Sequence, residues 1–356
     1  MSEKSTARNY GIDALRIVSM LMIVTLHVNG QGGIMWTVDP HSLRWCIVWF
    51  GEIAAMCSVD CYAMISGYVG GSTSRHYTNL AVLWLQVAFY TVGITALFAV
   101  LRPGMVTAEN WRSALLPVTT GQYWYFTAYA VMSLFAPALD AALAHLPKRQ
   151  LQALVLVLLV LGSLLPTLCN VDPVGVKGGC NAQWLMILYL LGGYAAKYHP
   201  LQNIHSYWLA AGFFAATGLT WLGWFLFRYT AATDFFGFSG MISNTAPLMV
   251  LAAFFLLSLF ARLSVRGKLR TVVRFFSPLS FSVYLIHTNT LVWDNFMTNR
   301  FQSYTSLGGV LMLAHIVGTV LAIYLVCALI DLVRARLFTA LGVKRCLAAL
   351  ESKLIQ

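Results

Sequence analysis

Charge is what this chain has least of. Charged residues make up 10% of its 356 positions, where a soluble domain carries about 25%. So little charge cannot cover a water-facing surface, which excludes an ordinary soluble enzyme. A long polar stretch is missing too. The longest polar connection, about 102–121, is too short to fold alone. The seven cysteines contain no CxxC pair and no metal-ligand spacing, so neither a zinc module nor a metal site is expected. Cys57 and Cys61 lie four apart on one helical stretch, a spacing that packing explains. Cys169 and Cys180 flank a loop, where an oxidising compartment would let them form a disulfide. No internal repeat is evident.

Apolar residues fill the space that charge leaves. They make up 59% of the chain, with mean hydropathy +0.72, and they come in runs. A span needs about 20 apolar residues to cross the hydrocarbon. Ten such runs lie at roughly 11–29, 45–70, 79–101, 122–144, 151–169, 182–196, 207–228, 242–263, 272–293 and 307–331. The sixth is short. The expected fold class is therefore all-α, a polytopic bundle of about ten transmembrane helices. It forms one domain over 1–356, with a membrane core at about 8–335 and a basic tail at 336–356. The first run contains Arg16 and no small-residue cleavage site follows Leu26, so it reads as a retained span and not as a cleaved signal.

The net charge of +11 first suggests nucleic acid, but its placement argues against that partner. All of the 23 Lys and Arg residues except Arg44, Arg102, Arg112, Lys177, Arg228 and Arg300 fall on one side of the ten-span pattern. That asymmetry is the positive-inside rule, and it puts both termini in the cytoplasm. The basic run from Arg262 to Arg274 has no acid and is read as an inner loop touching anionic lipid. Trp45, Trp111, Trp208 and Trp293 sit near span ends as interface anchors.

Ionisable residues at membrane depth are costly and mark function by default. The sequence offers Asp13, Arg16, His27, Glu52, Asp60, His287 and His315. Arg16 and His27 are eleven residues apart, about 20° past three whole turns. They share one face, separated by roughly 16 Å along the axis. Arg16 then lies near the inner surface and His27 deep. Asp13 precedes Arg16 by one turn. Glu52 falls at about the depth of His27, where it either orients that ring or sits near the outer surface. Asp60 either serves the site or pairs with Arg16 or a neighbouring hydroxyl. Tyr123–Trp124–Tyr125–Phe126 opens the fourth span, as an aromatic belt or as a pocket wall. Ser280, Tyr284 and His287 share a face, with Asn289 beyond. His315 reads as structural. Asn170, Asn181, Gln183 and Trp184 are placed at an outer vestibule.

Three segments together resemble the membrane-bound acyltransferase family 3. They are RNYGIDALRIVSMLMIVTLH (Arg8 to His27), VDCYAMISGYV (Val59 to Val69) and SFSVYLIH (Ser280 to His287). YWYFTAYAVMSLFAPAL, from Tyr123, is similar more weakly. Cys61–Tyr62 departs from the aromatic that often follows the signature Asp. The resemblance implies a multi-pass enzyme of the bacterial cytoplasmic membrane. It would move an acyl group, acetyl by expectation, from cytoplasmic acyl-CoA to a hydroxyl of a cell-envelope glycan or lipid-linked acceptor. No cofactor is expected to be tightly bound.

In that frame His27, Glu52 and His287 are the expected catalytic set: His27 as general base or transiently acylated nucleophile, Glu52 holding its tautomer. Arg16, Arg75, Asp60 and Ser66 are expected at the donor, the arginines on its phosphates. Tyr123, Trp124 and Asn289 are expected at the acceptor, with His287 beside them. A transporter or flippase of a glycan or lipid-linked sugar is the alternative. The absence of an inverted repeat or of paired broken helices counts against it.

Overall fold

Backbone amides in hydrocarbon have no water to bond to, so each apolar run closes its own hydrogen bonds as a helix. The computed structural model describes residues 8–70, 77–227 and 241–354; Arg75 lies outside them. Among the described residues there is no strand. The chain is an all-α polytopic membrane bundle.

The main helices, in order, are α1 (Tyr10–Asn29), α2 (Leu43–Met56), α3 (Ser58–Gly70), α4 (Tyr77–Leu101), α5 (Ala108–Leu115), α6 (Trp124–His145) and α7 (Lys148–Leu159). They are followed by α8 (Ala182–Tyr198), α9 (Ser206–Phe227), α10 (Pro247–Ala261), α11 (Gly267–Phe276), α12 (Ser280–His287), α13 (Gly309–Ala340) and α14 (Val343–Leu354).

Among the described residues, eight helical stretches are long and apolar enough to span a membrane. The sixth and eighth expected spans are shorter, at 17 residues for α8 and 15 for α10. Most of α8 is buried in protein, so its length answers to its neighbours and not to lipid thickness. The ninth expected span is interrupted. Pro278 has no N–H to continue a helix, and a 3-10 turn, Ser277–Leu279, separates α11 from α12. The basic tail is helical: α13 runs on to Ala340 and α14 follows.

The chain groups into two compact units. The first comprises 8–22, 49–70, 131–227 and 241–278; the second comprises 23–48, 77–130 and 279–354. In the first, α3 and α8 pack together along their lengths. Glycine makes this possible from both sides. A Cβ on Gly67 would collide with the Tyr189 carbonyl, and one on Gly192 with the Met64 carbonyl. Small residues at such crossings let two backbones touch, which is how membrane helices gain dispersion energy. Ile53, Ala246 and Met249 form a second core there, flanked by Trp221.

In the second unit α12 packs on α13. Glu351 of α14 caps the free amides that open α4, accepting from Tyr77 N at 2.7 Å and Thr78 N at 3.2 Å. A buried ion pair joins Arg334 to Asp331 through two 2.8 Å bonds, and the Tyr90 hydroxyl donates to the same carboxylate at 2.5 Å. Both carboxylate oxygens of Asp331 thus accept from donors, as a buried charge requires.

Candidate active site

Residues of the first unit gather around Asp13. Its carboxylate is buried and accepts Arg8 Nε and Arg16 Nη1, each at 2.5 Å, and Ser277 Oγ at 3.2 Å. Helical spacing produces the Arg16 contact, one turn on from Asp13. The Tyr62 hydroxyl donates to the Arg16 carbonyl at 2.8 Å, tying α3 to α1. Ser66 bonds back to the Tyr62 carbonyl at 3.0 Å. The Arg16 side chain is 30% exposed and that of Arg8 48% exposed. Two cations therefore stand at one buried acid, with part of each left to face outward.

Asp60 does not pair with Arg16. It is fully buried on α3, and its Oδ1 accepts Trp184 Nε1 at 2.9 Å. Asn181 caps α8 by accepting Trp184 N at 3.1 Å, and this aims the indole inward. Trp184 is therefore completely buried, a correction to its placement at a vestibule. Oδ2 of Asp60 has no hydrogen-bond partner among the described residues. Burial beside Asp60 pushes the Cys180 thiol up from its ordinary range. Cys169 and Cys180 are both free thiols. Glu52 is buried on α2, in the first unit.

The second unit holds the two histidines. Nδ1 of His27 faces Nε2 of His287 at 2.8 Å, although 260 residues separate them. His287 is buried, and its Nδ1 lies 2.5 Å from the Val283 carbonyl, one turn back on α12. These two contacts fix the protons. A carbonyl only accepts, so Nδ1 of His287 carries the hydrogen. A neutral His287 then has a bare Nε2, which accepts from Nδ1–H of His27. The His27 lone pair is left on Nε2. Trp293 meets the His27 ring edge-on at 4.8 Å and 82°, holding its plane. His27 itself is half-buried.

Around this pair, Asn289 is buried and uses both ends of its amide on protein. It caps the turn at Leu291 N at 3.1 Å and donates to the Tyr123 hydroxyl at 3.3 Å. That hydroxyl donates in turn to the Leu285 carbonyl at 2.8 Å. Tyr123 and Phe126 are buried, whereas Trp124 and Tyr125 are half-exposed. Trp124 meets Tyr125 edge-on at 5.5 Å. Tyr125 in turn packs beside Tyr129 and Tyr284. His315 is exposed and bonds back to the Leu311 carbonyl.

A basic nitrogen held in one tautomer is the equipment of proton transfer to or from a reacting hydroxyl. The acyltransferase 3 family model, described as an acyltransferase domain, matches residues 9–332. The chain belongs to that family. It is a multi-pass membrane acyltransferase. Comparison with curated proteins and with solved structures returned no match.

The acyltransferase also carries features that sequence reasoning passed over. Trp293 looked like an interface anchor, yet a π-turn, Trp293–Met297, brings it to His27. Tyr90 sat in the middle of an expected span and Asp331 and Arg334 at the end of another, and none gave a signal beyond its polarity. The partner of Asp60, Trp184, is 124 residues away from it.

Proposed function

We propose that this acyltransferase moves an acyl group, acetyl in the simplest case, from cytoplasmic acyl-CoA to a hydroxyl of a cell-envelope glycan or lipid-linked acceptor. The setting is a bacterial cytoplasmic membrane with both termini inside. The observation that carries this reading is the hydrogen-bonded row Val283 carbonyl, His287, His27. It leaves Nε2 of His27 as a base with one fixed direction.

In this mechanism Nε2 takes the acceptor proton while the hydroxyl oxygen attacks the thioester carbonyl. The carbon–sulfur bond then breaks, and the thiolate leaves with the proton that the imidazolium returns. The positive charge on His27 is held through Nδ1–H by the His287 lone pair. This is the part a carboxylate plays in a serine-hydrolase triad, taken here by a neutral ring. His287 is then a positioning residue that holds the His27 tautomer. Attack by Nε2 itself on the thioester, with transient acylation, uses the same lone pair.

Arg16 and Arg75 serve the donor phosphates as charge-assisted contacts. Arg16 is supported by its pairing with Asp13 and its part-exposure. Asp60 and Ser66 support α3 next to it. The helix carrying Arg16 and His27 is unbroken from Tyr10 to Asn29, and the roughly 16 Å between them along the axis suits an extended pantetheine arm. Tyr123 and Asn289 hold α12 in place, leaving half-exposed Trp124 to meet the acceptor.

The test is thiol release and acyl transfer from acetyl-CoA by the purified protein. His27→Ala should lower turnover about 10³-fold, within the range of a lost general base, with membrane insertion intact. Full activity in that variant would sink the proposal.

A further inference from the structure

In the first unit a cavity of about 310 Å³ opens where α3, the turn between α8 and α9, and the end of α10 meet. Tyr68, His199, Gln202, Ser258 and Arg262 supply its polar and aromatic lining, and no acidic residue contributes. Two helices end here. His199 closes α8 in the left-handed conformation (φ 43, ψ 54), and Arg262 closes α10. Helix C-termini present carbonyl oxygens and negative partial charge, which disfavours a phosphate inside the cavity. The Arg262 cation is already committed. It donates to the Ile204 carbonyl at 2.5 Å and to the Leu201 carbonyl.

What remains suits a flat heterocycle with an amine on its edge. Tyr68 and His199 are aromatic rings in its lining, and an aromatic ring or the guanidinium plane of Arg262 can stack on a base. The Gln202 amide can both give and take a hydrogen bond on an adenine edge, the pairing for which Gln is suited. Unfilled carbonyl lone pairs can accept from an exocyclic amine.

The same helix end is joined to the arginine cluster. Asn9 donates to the Ala261 carbonyl at 2.8 Å. Gly11 lies so close to the Phe260 carbonyl that a Cβ would collide with it. The first turn of α1, with Arg8, Asp13 and Arg16 beside it, therefore packs directly on the wall of this cavity. A base pocket followed by paired cations matches the order of groups along a CoA molecule.

We infer that this cavity binds the adenine end of the donor, an inference that rests on acyl-CoA being the donor. The experiment compares acetyl-CoA with acetyl-pantetheine, which lacks the nucleotide. In Gln202→Leu and Tyr68→Ala, KM should rise about tenfold for acetyl-CoA, a loss of the size expected for one amide–base pair or one stacked base. KM for acetyl-pantetheine should not move. Competitive inhibition by 3′,5′-ADP should weaken about tenfold in Gln202→Leu, whose turn position keeps the fold out of question. An equal shift for both donors, or none for either, overturns the adenine site while leaving acyl-CoA in place. If the unaltered protein uses neither donor and binds no 3′,5′-ADP, the donor assignment and this site fall together.

Discussion

The two polar clusters in this molecule are built on opposite plans. Around Asp13 in the first unit the dominant contacts are ionic: one buried carboxylate holds two arginines that keep part of their charge outward. Around His27 in the second unit the hydrogen-bonded row carries no formal charge. It is a directional line of carbonyl, imidazole and imidazole. An ionic cluster attracts and holds a charged ligand but tolerates loose geometry. A neutral line attracts little, yet it decides where a single proton sits. The difference shows how binding and proton transfer can be kept apart in one chain, each with the electrostatics it needs.

Substitutions can break this contrast or sharpen it. The largest effect after His27 itself is expected at His287. His287→Ala should cut kcat by about 10–100-fold, as loss of an orienting partner does, with the donor KM little changed. His287→Gln should recover part of that loss, because its amide oxygen can accept from His27 Nδ1–H. Equal defects in the two variants would show that bulk, not hydrogen bonding, matters there. On the ionic side the pattern reverses. Arg16→Ala should raise the donor KM about tenfold, the effect of losing one charge-assisted contact, while kcat stays close to normal. Raised salt should mimic it in the unaltered protein, since part-exposed charges are screened. A kcat defect without a KM shift would reverse the assignment.

Smaller effects are expected in the scaffold. Gly67→Ala should destabilise by about 2 kcal/mol, within the range for overpacking, read as an earlier thermal unfolding in detergent. Its activity loss should fall on donor use, since α3 carries Tyr62, which reaches the Arg16 carbonyl. Glu351→Ala, which uncaps α4, should cost about 1 kcal/mol and leave kinetics unchanged. A change in kcat there would mean that α4 reports to the histidines.

Spans were legible because hydrocarbon imposes length and hydropathy on each of them. Arg16 and His27 were legible because helical phase is a local property. Pairings between helices were not. Nothing in the periodicity of α1 says that His27 meets His287, because that contact depends on how distant segments pack. The same applies to Asp60. Its burial was foreseen, but its indole partner on α8 is a matter of tertiary fit set up by the Asn181 cap. Breaks within spans were also hidden. Pro278 ends α11 where hydropathy alone reads straight through, and the π-turn that delivers Trp293 has no compositional mark.

The anchor of the histidine line is a piece of main chain. The Val283 carbonyl has no proton to gain or lose across the ordinary pH range, so it holds His287 in the same orientation in acid and in base. No side-chain replacement at position 283 can remove it, because every residue brings a carbonyl with it. The outermost link is therefore immune to point substitution in a way that a supporting Asp is not. It also leaves no residue type for selection to preserve at that position, so relatives could share this device without sharing any residue there.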